Sequence, residues 1–287
     1  MKPMIEFKKQ RELGDIISDT FKFLRQEFKP FTKAVFTIAG PFMVLYLLAM
    51  VFYMYMIGDL FTFGNAANFQ SLGLFFVTIG VFFICLILVY VFANAAALHY
   101  IKSYIRNNGK VDLNEVRTQA NRNFWRFVGL GIAKWLTLIF SAMLCLLPIL
   151  YFLVPMALVY SIMVFDNKDV SDSYSDSYSL IKGEFWSTLG TIIVIGIIVV
   201  IAGYAFQMPS VIYSFIKMGT MLNEVDMTDT YSMVDPIDIT LSVIGSMFQF
   251  FLNFISIVAY AFIYFHLNEK KHFTGTFEKI QSLGNNQ

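Results

Sequence analysis

The stretch LGLFFVTIGVFFICLILVYVFANAAAL, residues 72–98, runs without one charged side chain. About 20 apolar residues suffice for a helix to cross a hydrocarbon core of roughly 30 Å, so this stretch predicts a membrane span. Five others read the same way, giving spans at 34–57, 72–98, 127–146, 149–165, 186–206 and 239–265. The predicted fold class is an all-α integral membrane protein. It has six transmembrane helices, a charged segment over 1–33 and a short tail over 266–287.

Basic residues supply the orientation. Of the 21 Lys and Arg residues, eight precede the first span and seven lie between the end of the second and the first turns of the third. Two follow the fourth and three end the chain. Only Lys217 falls on the opposite side. Lys and Arg in short loops are retained on the cytoplasmic side during insertion, so both termini are expected there. At 57% hydrophobic and 14% charged, the chain is far from a soluble domain, in which about a quarter of residues are charged. The spans take nearly half the chain, which leaves no room for a soluble catalytic domain of ~100 residues. A net charge of +1 gives no field for nucleic acid. The first 33 residues are too charged for a cleaved signal peptide, and the first span is expected to serve as an uncleaved one. Cys85 and Cys145 read as small apolar packers within spans.

Three amphipathic segments border the spans on the basic side. In residues 11–32, Leu13, Ile16, Ile17, Phe21, Leu24 and Phe28 recur at helical spacing, with Asp15, Asp19, Lys22, Arg25 and Lys29 opposite. Such a helix lies in the membrane interface, and Pro30 ends or bends it before the first span. Val111–Phe127 repeats the pattern, with Trp125 and Arg126 at headgroup level. Asn167–Glu184 is the third, with Tyr174, Tyr178, Ile181 and Phe185 on one face and Trp186 following. Lys134 is expected to snorkel. Residues 127–165 are short for two spans, so Pro148 is placed in a tight external turn. A re-entrant pair that does not cross is the alternative, and it would disturb the charge count of the last two spans.

Inside the spans, Gly73, Gly80 and Asn94 share a stripe suited to close helix approach, as do Gly196 and Gly203. Pro41, Pro155 and Pro209 are expected to kink or interrupt their helices. Lys217–Asp238 reads as a solvated acidic loop. Ser242, Ser246, Gln249, Asn253, Ser256 and Tyr260 step by three and four residues along the sixth span. In hydrocarbon such groups must face protein or water, so the stripe is either an interhelical hydrogen-bonding seam or a hydrated path. It contains no carboxylate or histidine for a proton relay. His99, His266 and His272 have no zinc-ligand spacing, and no phosphate loop, HExxH or GxSxG motif is present.

The run Arg11-Glu12-Leu13-Gly14-Asp15-Ile16-Ile17-Ser18-Asp19-Thr20-Phe21, the elbow Ser177-Tyr178-Ser179-Leu180-Ile181-Lys182-Gly183-Glu184-Phe185-Trp186 and the six-span plan together resemble a bacterial family. It is the integral membrane region associated with glycerophosphoryl diester phosphodiesterases, with its stand-alone relatives. The tail Asn268–Gly275 is similar to stand-alone versions in the Bacteroidetes group. The resemblance implies the fold and a bacterial inner-membrane location. In the fused proteins catalysis belongs to a separate soluble domain, so it carries no catalytic residue onto this chain. The expectation is a non-enzymatic membrane protein without cofactor or metal. It acts as an accessory or scaffold subunit with a membrane-protein partner, or on lipids. The alternative is a solute or lipid transporter using the sixth-span stripe.

Overall fold

The computed structural model describes residues 4–61, 69–144, 146–223 and 236–284. The stretches 62–68 and 224–235 lie outside them, and with these most of the expected acidic loop; so does Cys145. The described residues form nine helices and no strand: α1 Leu13–Phe61, α2 Phe69–Arg106, α3 Leu113–Arg122, α4 Phe124–Leu144, α5 Leu146–Phe165, α6 Val170–Ile181, α7 Phe185–Asn223, α8 Pro236–His272 and α9 Thr274–Gly284. Six of these, α1, α2, α4, α5, α7 and α8, are long and apolar enough to cross a membrane. The chain is an all-α, multi-pass membrane protein.

The prolines do not end helices. α1 runs unbroken through Pro30 and Pro41, α5 through Pro155 and α7 through Pro209. The segment 11–32 is therefore the first part of α1, and no separate helix precedes the first span. Pro148 sits in the first turn of α5, where its missing N–H has no intrahelical acceptor to lose.

Two compact units divide the chain, one of Met1–Ala39, Val91–Ile198 and Phe254–Gln287, the other of Gly40–Tyr90 and Val199–Asn253. The first unit has an aromatic core. Phe7, from the segment before α1, stacks on Phe262 at 4.4 Å and meets Phe23 edge-on at 5.4 Å and Phe265 at 5.7 Å. Phe31 and Tyr100 continue the cluster at 5.2 Å. α5 is buried through its second half, and α2 is buried from Val91 to Ile101. α6 packs on α5 because its inward positions are Ser173 and Ser177, both without exposed surface, followed by Leu180 and Ile181. Those hydroxyls bond back to the carbonyls of Asp169 and Tyr174, so the small side chains bury no orphan donor. α3 begins at Asp112, whose carboxylate accepts from the Asn114 and Glu115 amides.

The turn from α6 into α7 needs Gly183, whose φ of +90° lies in the left-handed region. In the second unit, Gly203 lies against the Gln249 amide and Gly245 against the Gln207 amide, a reciprocal Gly–Gln contact between α7 and α8. Among the described residues no packing neighbour comes within 4 Å of a Cβ built on Gly73, Gly80 or Gly196, so none of them makes the close approach expected there.

The tail is structured. α9 is capped by Glu269, a buried carboxylate that accepts from the Gly275 and Thr276 amides at 2.6 and 3.0 Å. A Cβ on Gly275 would meet the Lys8 carbonyl oxygen at 2.5 Å. Gly275→Ala is expected to force α9 away from the N-terminal segment while leaving the rest of the fold in place. Limited trypsinolysis in detergent should then release the C-terminal peptide faster than in the parent; an unchanged cleavage rate would refute the close approach.

Candidate functional site

The best-defined polar constellation in the first unit surrounds Arg11. Its side chain has no exposed surface. Nε donates to Asp19 Oδ2 at 2.9 Å, Nη1 to the Phe7 and Lys9 carbonyls at 2.7 and 3.2 Å, and Nη2 to the Glu6 carbonyl. The guanidinium also lies 4.6 Å from the centre of the Phe262 ring, within cation–π range. Burial lowers its pKa from the ordinary arginine value, and the hydrogen bond and charge of Asp19 oppose that shift. A guanidinium remains protonated regardless. The Arg11 amide donates to His266 Nδ1 at 2.9 Å, which ties the segment before α1 to α8. In the sequence Arg11 stands out as a topological charge and as the first residue of the run that carries the family resemblance; the alternation Ile5, Phe7 between charged residues was the available sign of a buried plug.

Two clefts flank this plug. One, of about 860 Å³, is lined by Glu6, Lys8, Lys102, Arg106, Asp166 and Tyr264 among others. Its charges are engaged: Lys8 with Glu278, Arg106 with Glu115 at 3.0 Å, Lys102 with Asn167 at 2.6 Å, and Asp166 with Tyr264. The other, of about 570 Å³, includes Arg11, Asp15, Glu184, Thr188, His266 and Lys270. Lys270 pairs with Glu184 at 2.5 Å. Both clefts open at the end of the unit that carries these basic side chains.

The expected interfacial face of residues 13–28 divides in two. Ile16 is buried against the core, whereas Leu13, Phe21 and Phe28 are exposed and Ile17 and Leu24 are half-exposed. The buried stripe is Ile16, Thr20, Phe23 and Phe31; it shares Ile16 and Phe31 with the expected apolar face and adds Thr20 and Phe23. In the elbow, Ser177 and Leu180 are buried, Tyr178 stacks near Tyr174 and bonds its hydroxyl at 3.1 Å, Gly183 makes the turn, and Trp186 is 80% exposed. Lys134 turns toward α5, its ammonium 5.5 Å from the Tyr160 ring centre.

The sixth-span stripe is divided between the two units. Ser242, Ser246, Gln249 and Asn253 belong to the second unit, Ser256 and Tyr260 to the first. Ser242 shares a 3.1 Å hydrogen bond with Ser210 of α7, and Ser246 donates to the Ser242 carbonyl. Asp238, in the first turn of α8, accepts from Ser210 and Ser214 at 3.1 Å each. Sequence reasoning placed Asp238 in a loop and overlooked Gln207, Ser210 and Ser214, which repeat every three to four residues on α7. The histidines do not gather: His99 lies 3.4 Å from the Asn123 amide and His266 accepts from Arg11. Among the described residues no three His, Cys, Asp or Glu side chains are placed to hold a metal.

No protein family, curated protein or solved structure matches the chain.

Removing one partner of a buried ion pair strands the other charge and costs roughly 3–5 kcal/mol. Arg11→Ala should destabilise the first unit by that order, and Arg11→Ala with Asp19→Ala should recover part of the loss. Denaturant midpoints in detergent micelles check this; two equal, small shifts would mean that the pair does not hold the plug.

Proposed function

We propose that the chain is a non-enzymatic accessory or scaffold protein of a bacterial inner membrane, with both termini cytoplasmic. In this reading the first unit faces the cytoplasm and meets a membrane-protein partner or lipid headgroups. One observation carries it: titratable side chains around the two clefts are committed to bonds that tie the N-terminal segment to α1 and α9, and α8 to the residues flanking α6. They build a rigid charged surface rather than a reacting centre. The exposed rings of Trp125 and Trp186, at 79% and 80%, support contact with the membrane interface. The distribution of Lys and Arg supports the orientation, and the resemblance to the membrane region of glycerophosphoryl diester phosphodiesterases supports the bacterial setting.

The transporter reading rests on the sixth-span stripe. Its upper half is joined to α7 by hydrogen bonds, which favours a seam over a water path. Gln249→Leu with Asn253→Leu separates the two. A seam predicts lower stability with function proportional to folded protein, whereas a path predicts lost function in a normally folded protein.

Native purification from membranes in mild detergent, with mass spectrometry of co-purifying proteins and lipids, tests the main reading. A stoichiometric protein partner or an enriched lipid class is expected. Isolation alone, together with substrate-dependent solute flux in proteoliposomes, would overturn it.

A further inference from the structure

Six helices satisfy the length and hydropathy for crossing, yet the contacts of α5 restrict how it can be used. At its C-terminal end Phe165 packs on Tyr264 and Phe265 at 5.2 and 4.6 Å. Near its N-terminal end Tyr151 stacks on Phe185 at 5.7 Å and lies 6.3 Å from Tyr178. The neighbours of those two partners, Glu184 and Ser179, bond Lys270 and Lys271. The C-terminal end of α5 thus meets α8 directly, and its N-terminal end is linked through the α6–α7 elbow to Lys270 and Lys271 of the same short stretch, residues 264–271. Along a helix that stretch spans only about 10 Å, whereas Tyr151 to Phe165 spans about 21 Å at 1.5 Å per residue. A helix standing along α8 would carry Tyr151 far from Lys270, toward the opposite membrane face.

α6 makes the same point chemically. It runs beside α4 and α5, with Val170 Cγ2 3.8 Å from where a Cβ on Gly129 would lie and Tyr174 bonded to Thr137 at 3.0 Å. Its sequence, VSDSYSDSYSLI, holds two aspartates and five serines. If α4 and α5 crossed the bilayer, α6 would be drawn into hydrocarbon beside them, with Asp172 exposed. A charged side chain at that depth costs about 2.5–3.5 kcal/mol even on the most lenient scale.

We propose that α4 and α5 form a hairpin that stays on the termini's side of the membrane. The outer face of α4 then inserts among the acyl chains of that one leaflet. That face is Ile132, Leu136, Ile139, Phe140 and Met143, each 47–82% exposed and all within one helical stripe. Trp125 and Trp186, exposed in the same unit, mark the headgroup level beside it. Lipid is the occupant because the chain is already anchored in the bilayer by α1, α2, α7 and α8, each far longer than one span. Contrary to the expectation from the sequence, a pair that does not cross leaves the charge pattern undisturbed: losing two crossings keeps both termini on one side and leaves Lys217 opposite the other basic residues. The inference is independent of any partner and stands if the accessory role fails.

The test uses the full chain in sealed proteoliposomes, with Cys85→Ser and Cys145→Ser as background. Met143→Cys and, separately, Asn65→Cys are exposed to a membrane-impermeant maleimide on the face opposite the termini. Asn65→Cys should label there, and Met143→Cys should stay at the cysteine-free background. Labelling of Met143→Cys from that face, at a rate near that of Asn65→Cys, would overturn the proposal. Phe140→Trp reports the occupant: lipids brominated near the glycerol end of their chains should quench its fluorescence strongly. An unquenched tryptophan would mean protein, and not lipid, covers the face. Leu136→Trp repeats the measurement should Phe140→Trp elute as aggregate.

Discussion

A guanidinium with no exposed surface decides how the first unit is assembled. The segment before α1 has no helix of its own, and its carbonyls need donors from elsewhere; that of Phe7 also accepts the Lys9 amide at 3.0 Å. Arg11 supplies donors to the carbonyls of Glu6, Phe7 and Lys9 and neutralises itself on Asp19. With those carbonyls satisfied, Phe7 can sit among Phe23, Tyr104, Phe262 and Phe265 instead of trailing in water. Ile5 follows, its amide bonded to the Tyr104 hydroxyl at 3.2 Å. The polar and apolar parts of this plug depend on each other, because the aromatic contacts fix the backbone that the guanidinium then reads.

The same coupling extends to the chain's other end. His266 accepts the Arg11 amide, Glu269 three residues on caps α9, and Gly275 lets α9 lie against Lys8. Both ends of the chain are thus held by side chains from one turn and a half of α8. This gives a physical reason for polar residues to cluster directly after the last span: there they close the unit with directed bonds, which apolar side chains cannot do.

Apolar periodicity carried most of the fold. Long uncharged runs locate helices reliably in a membrane, because every backbone group must be satisfied within the segment. The elbow at 170–181 was legible for the same reason, through its tyrosine spacing. What remained hidden was long-range. Nothing local distinguishes Arg11 from the seven other basic residues before the first span; only the fold supplies Asp19, three carbonyls and a ring around it. The apolar face of α1 was read as one set, yet Ile16 and Phe31 meet protein while Leu13, Phe21 and Phe28 are exposed, and pattern alone cannot divide side chains of equal apolarity. α9 went unseen because its capping carboxylate lies in the preceding helix.

Hydropathy has a further blind spot, visible in α4, α5 and α6. It measures whether a segment tolerates hydrocarbon, not whether its neighbours do. α5 carries no charged side chain and is the most buried of the six long apolar helices, so its apolar surface is spent largely on other side chains. The polar helix α6 depends on that surface, since Ser173 and Ser177 bring its backbone close to α5. A polar helix packed against an apolar one shares its environment along the contact. The charged partner sets the limit, because aspartates cost more to bury in lipid than leucines cost to leave at its edge.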